Sequence, residues 1–176
     1  MKKIVSLFII LILSLLITGC GNEEEVEKTP VVNKDSILNH IDKVGSGKLK
    51  CSREAYASTG VDVDLTNEIE YKEGYITLLH SVDKITSDNQ ESLDLYEDAY
   101  KKIAKNYEGL KYYDITISRT SNSVINDVVI NYEKIDTKKL LDIEGEEDNV
   151  IVNGKVLLET WVGFAEKFGI VCEKVE

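Results

Sequence analysis

Basic side chains, imidazoles, thiols and prolines are all scarce in this chain. Twenty-one lysines and arginines stand against 32 aspartates and glutamates, for a net charge of −11 and a pI near 4.7. A nucleic-acid binder needs a basic face to displace counterions from phosphate, and attraction to anionic lipid needs one too. The composition argues against both. Two histidines and three cysteines leave little material for transition-metal or nucleophilic sites. What is present suffices for a core: 176 residues, 43% hydrophobic and 30% charged, make one real domain and are too few for two large ones.

The N-terminus carries the strongest signal. Met1-Lys2-Lys3 is positive, and Ile4 to Ile17 is apolar except for Ser6 and Ser14. Fourteen residues fit the core of a signal peptide, whereas a spanning helix needs about 20. The run ends Leu16-Ile17-Thr18-Gly19-Cys20, which resembles the lipobox of a bacterial lipoprotein signal peptide over residues 1–19. Small residues at 18 and 19 let the chain lie extended in a peptidase groove. Cys20 is then the lipid attachment site, taking a diacylglyceryl group with palmitate-like chains and becoming the first residue after cleavage. Two acyl chains hold a protein on a bilayer stably where one is marginal. An uncleaved anchor with an incidental cysteine is the alternative, and the run length, flanking charge and cysteine position favour processing.

Removal of residues 1–19 takes two lysines away and moves the net charge to −13. Such a domain is repelled by anionic headgroups. Residues 20–46 read as the lipidated cysteine and a flexible acidic tether, holding Glu23-Glu24-Glu25, Glu27 and the only proline, Pro30. About 25 such residues span on the order of 25–30 Å. Ile37, Ile41 and Val44 share a helical face, so residues 35–44 are read as a short helix docked on the domain, with a partner-binding segment as the other reading.

Residues 47–176 read as a single domain. Lys48 to Tyr56 is a first strand. Val61 to Tyr71 alternates cleanly, with Val61, Val63, Leu65, Ile69 and Tyr71 on one face and acids on the other. Lys72-Glu73-Gly74 turns the chain into a hairpin partner, Tyr75 to Ile85, whose Ile76, Leu78 and Val82 share a face with His80 while Leu79 lies opposite. A helix follows, with Asp88 as cap and Glu91 as its capping-box partner, and with Leu93, Tyr96, Tyr100, Ile103 and Tyr107 at helical spacing. Its early acids and late lysines suit the helix dipole.

Tyr113 to Ser118 and Val124 to Tyr132 form two more strands around a Thr120–Ser123 turn. Asp136 caps a short helix to Ile143, and Glu144 to Asn149 is an acidic loop. Asn153-Gly154 is a turn, and Leu157, Trp161, Phe164 and Phe168 mark a last helix ended by Gly169. Ile170 to Val175 is a final strand. The fold class is α+β: two layers, a mostly antiparallel sheet of five to six strands with two main helices on one face and water on the other.

Several short stretches carry a family resemblance: Cys51-Ser52-Arg53, Tyr71-Lys72, Lys84-Ile85-Thr86-Ser87-Asp88, Asn131-Tyr132-Glu133-Lys134-Ile135-Asp136, Gly169 and Cys172. With the lipobox, residues 48–174 resemble the YehR-like family of small bacterial lipoproteins, a domain of unknown function. The resemblance implies an α+β fold and an envelope location. It carries over no catalytic or ligand-binding residue.

Candidate chemistry is thin. Cys51 and Cys172 fall in the first and last strands, and an even cysteine count in an exported domain favours a structural disulfide over a redox pair or two buried thiols. Closing so long a loop stabilises by up to about 4–5 kcal/mol in the chain-entropy model. His40 belongs to the tether region, and His80 reads as a half-buried strand histidine without a recognisable serine and acid partner. Asp142, Glu144, Glu146, Glu147 and Asp148 read as a solvated acidic loop that lacks EF-hand spacing. Tyr71, Tyr75, Tyr112 and Tyr113 make a ligand or glycan surface only if several are exposed. No catalytic, cofactor-binding or metal-ligating set is assigned.

The expectation is a non-enzymatic binding or accessory module of the cell envelope. It is lipid-anchored on the extracytoplasmic face of the cell membrane, with outer-membrane sorting if the host has one. Its partners are the membrane through the anchor and an envelope protein or small ligand, with no nucleic acid and no cofactor. The alternative is an envelope hydrolase built on carboxylates distant in sequence, which a compact cleft holding two shifted carboxylates would favour.

Overall fold

The computed structural model describes residues 36–57, 60–145 and 150–175. The signal-peptide and anchor assignments, Cys20, most of the tether and residues 146–149 of the acidic loop lie outside these. The elements are β1 (Ser46–Ala57), β2 (Val61–Lys72), β3 (Tyr75–Ser87), α1 (Gln90–Ala104), β4 (Tyr113–Arg119), β5 (Ser123–Asn131), α2 (Thr137–Glu144), β6 (Ile151–Val152), β7 (Lys155–Leu157), α3 (Leu158–Lys167) and β8 (Val171–Val175). The fold is α+β, an open antiparallel sheet with helices packed on it. The strand order is β4-β5-β3-β2-β1-β8, with β7 paired to the start of β3 and β6 to β7. The eight strands exceed the expected five to six because β6 and β7, of two and three residues, are too short to leave a periodic signal.

Local chemistry explains the main turns. Glu73 and Gly74 both have positive φ (54° and 80°), as do Asn153 and Gly154 (52° and 76°). Two consecutive left-handed residues make the tight hairpin turn that matches strand twist. In β2 the alternation holds from Val61 to Lys72, with odd residues inward. Its one inward polar residue, Asn67, is 2% exposed.

Several expectations are corrected. In β3 a bulge breaks the period: Tyr71 pairs with Ile76 and Glu70 with Leu78, leaving Thr77 as an extra residue. Ile76 and Leu79 therefore both point inward, and Leu78, His80 and Val82 turn to the outer face. At α1 the cap is Asn89 rather than Asp88. Asn89 Oδ1 accepts hydrogen bonds from the backbone N–H groups of Glu91 (2.9 Å) and Ser92 (3.3 Å). Glu91 thus sits one position too early to close a capping box. Residues 35–44 do not form a helix within the described part: Ile37–Asn39 make a single 3₁₀ turn capped by Ser36, and Val44 is 81% exposed. Ile37, Leu38 and Ile41 still pack against the core.

α2 is capped as expected by Asp136, whose Oδ1 accepts from Lys139 N–H at 3.2 Å. α3 buries Leu158, Trp161, Val162 and Ala165, so its inner face is rotated from the expected aromatic stripe, and Phe164 and Phe168 meet as a tilted pair at its margin, ring centroids 4.6 Å apart. The core has two parts. A large one joins β1–β5 to α2 and α3 through residues such as Ile69, Ile130, Leu140 and Trp161. A smaller one, made of Val61, Val63, Ile85, Leu93, Tyr96, Tyr100 and Val124, lies under α1.

Candidate functional site

Along β3 the inward residues run Ile85, Asp83, Ser81, Leu79, so two polar side chains separate the small core from the large one. The cross-strand neighbours extend this seam: Asn126 of β5 stands opposite Asp83, and Asn67 of β2 opposite Ser81. All four are buried. Tyr100 of α1 covers the seam, because helical spacing from Leu93 and Tyr96 carries it over the same strands. The Asp83 carboxyl faces Asn126 and Tyr100 without closing a hydrogen bond of ordinary geometry to either. Burial pushes its pKa up to about 8, against a smaller lowering by those two neighbours. Asp83 is therefore held mainly as the neutral acid at pH 7. Burial, and then the proximity of Asp83, push the Tyr100 hydroxyl upward.

A second buried acid sits at the end of α2. Glu144 is 7% exposed and accepts a hydrogen bond from the Tyr107 hydroxyl at 3.2 Å. Tyr107 stacks on Tyr113 with ring centroids 4.2 Å apart. Tyr132 is buried beside them, and burial raises the pKa of all three tyrosines. The expected solvated acidic loop thus begins with an acid that belongs to the core. The hydrophobic neighbours Leu140 and Leu141 place Glu144 on the inner face of α2, one helical turn beyond Leu140.

The outer face of the sheet is different in kind. β2 presents Asp62, Asp64, Glu68 and Glu70, β3 presents Leu78, His80 and Val82, and β5 presents Ile125, Asp127 and Val129. His80 lies between two carboxylates, with Nε2 3.0 Å from Asp127 Oδ1 and Nδ1 3.8 Å from Glu68 Oε2. Glu68 stands opposite His80 in the register, and Asp127 reaches it diagonally from its place opposite Val82. A groove of about 940 Å³ separates the C-terminal half of α1 from β4. Its floor holds Tyr113, Ile115 and Ile117, and its walls carry both signs of charge.

The other sequence candidates fall as follows. Cys51 and Cys172 stand directly opposite one another on β1 and β8 and form a disulfide. His40 follows the 3₁₀ turn and is exposed, while His80 belongs to the outer sheet face, so the two imidazoles are on different surfaces. The tyrosine surface does not assemble. Tyr71 and Tyr113 are core residues at 3% and 6% exposure, leaving Tyr75 and Tyr112 outside. Asp142 is exposed. Among the described residues no three His, Cys, Asp or Glu side chains are grouped to hold a metal ion. No helix among them is long and apolar enough to cross a membrane. Asp83 and Asn126 escaped the sequence reading. Counting back in twos from Ile85 would have found Asp83, but counting forward from Ile76 crosses the bulge and loses parity.

No family model matches the chain, and no curated protein does. Two solved structures are similar to it. One is the NMR structure of the Escherichia coli YehR protein, at 20% identity and a TM-score of 0.48, covering 77% of this chain and 94% of that one. The other is the NMR structure of a protein from Streptococcus pneumoniae TIGR4, at 14% identity and a TM-score of 0.47, covering 89% and 98% respectively.

Proposed function

We propose that this chain is a lipid-anchored extracytoplasmic lipoprotein of the YehR-like type, whose domain binds another envelope component through the open face of its sheet. The lipobox ending in Cys20 and the acidic stretch after it support the anchor. The observation that carries the binding reading is the outer face, which no other described residue covers. It sets half-buried Leu78, Val82, Ile125 and Val129 among carboxylates and His80, an apolar centre with a polar surround. The hydrolase alternative draws no support from Asp83, because this shifted carboxyl is sealed in the core where substrate cannot reach it.

Cross-linking in native membranes, followed by mass spectrometry, tests the reading against two controls. A partner captured in fixed ratio, lost with Cys20→Ala and lost with Val129→Lys, is the expected result. Capture of the chain alone would remove the accessory role. Capture indifferent to Val129→Lys would move the binding surface elsewhere.

A further inference from the structure

The last strand is attached to the domain by very little. Ile170 is 1% exposed, but beyond it only Cys172 packs against the core. Val171 is 72% exposed and Val175 40%, and Glu173 and Lys174 are exposed as well. Among the described residues β8 ends the strand order and pairs only with β1, over Lys48–Ser52. Hydrogen bonds at a sheet rim compete with water and gain little individually. Ordering these five residues costs conformational entropy of the same order as those bonds return. With almost no apolar burial to tip the balance, pairing alone leaves β8 marginal. β1 differs, because it also pairs with β2 over twelve positions.

We infer that the Cys51–Cys172 disulfide is what keeps β8 on the sheet, so that its reduction releases β8 and uncovers the edge of β1 while the remaining strands stay folded. The two sulfurs are unequally reachable: Cys51 is 0% exposed, and Cys172 is only partly buried. A thiolate of a dithiol reductant attacks Cys172 Sγ. The S–S bond breaks, its electron pair leaves on Cys51 Sγ, and that thiolate takes up a proton. The second thiol of the reductant then attacks its own sulfur in the mixed disulfide. This frees Cys172 as a thiol and leaves the reductant oxidised by two electrons, with two protons gained by this chain. Release also affects the start of the domain. The 3₁₀ turn at Ile37–Asn39 lies against β8, and Ile37 N–H donates to Glu166 Oε1 at 3.3 Å on the helix just before it. The same event therefore loosens the place where the chain joins its domain. The inference is independent of the proposed binding role.

Hydrogen exchange with mass spectrometry on the full-length protein in detergent micelles tests it. Samples are compared with and without tris(2-carboxyethyl)phosphine, with alkylation confirming that both thiols are free. The expected result is exchange at least about tenfold faster in Val171–Val175 and Lys48–Ser52, to near the rate of unstructured chain in β8, with β3 and β5 still strongly protected. A Cys51→Ala/Cys172→Ala variant should show that pattern without reductant. Unchanged exchange in β8 would show that pairing suffices and overturn the inference. Loss of protection throughout β2, β3 and β5 along with β8 would make the bond a staple of the whole core and overturn it equally.

Discussion

Asp83 is the residue whose chemistry is most altered by its place in the fold. Its folded pKa, about 8, lies above the unfolded value near 4, so the unfolded chain ionises first as pH rises. The stability it permits is fully present below about pH 4 and is lost as pH climbs through 8, at up to roughly 1.4 kcal/mol per pH unit. Asp83→Asn keeps the shape without the titration. The variant should gain on the parent progressively between pH 4 and 8 in urea unfolding. Parallel curves would show that Asp83 does not carry this dependence. At this scale the sequence was a poor guide. Hydrophobic positions announce themselves by period, but Asp83, Asn126 and Glu144 look like surface residues until the neighbours that bury them are known. Cys51 and Cys172 were legible because covalent chemistry restricts what an even pair in an exported domain can do.

At the scale of elements, end chemistry decides boundaries. Asn89 satisfies two free N–H groups of α1 and also donates its own backbone N–H to Ser87 Oγ at 3.1 Å. Asn89→Ala should cost about 1 kcal/mol in thermal or urea unfolding, whereas Asp88→Ala, at an exposed position before the cap, should stay within about 0.5 kcal/mol. Equal losses would return the cap to Asp88. The sequence located the start of α1 closely but carried its stripe on to Tyr107, beyond the end at Ala104, and it found the β2–β3 hairpin and the turn at Asn153-Gly154 by their turn residues, since helical spacing and Glu-Gly or Asn-Gly pairs are local signals. It misassigned the faces of β3 because a bulge has no composition of its own. It misassigned the face of α3 because aromatic residues attract attention while Val162 and Ala165 do the inner packing.

For the whole molecule, protection should follow the strand order. β2 and β3 are paired along both sides, and β4 has β5 on one side only. Native hydrogen exchange of the oxidised protein should be slowest in Leu65–Ile69 and Leu79–Ile85 and faster along β4. Fastest protection loss in β3 would contradict the sheet order. The α+β class was readable because one-sided strands need a partner layer and two strong helical stripes were available to supply it. The order of the strands was not readable. After β3 the chain skips a place to lay down β4 at the edge and fills the gap with β5, and β8 must return across the domain to β1, a pairing of residues more than a hundred positions apart that local patterns cannot encode.

Thr77 links the fate of several distant side chains. As the unpaired residue of the bulge, it lets the hairpin end of β3 direct Ile76 inward while the rest directs Leu79 and Ile85 inward too. Were Thr77 paired as an ordinary residue of the ladder, one half of the strand would have to exchange faces with the other. Keeping the turn fixed would bring His80 and Lys84 toward the helices and send Asp83 to water. The bulge at Thr77 and the proton kept on Asp83 are thus linked: leaving this one residue out of the pairing turns the aliphatic side chains of both halves inward and brings an acid indoors with them.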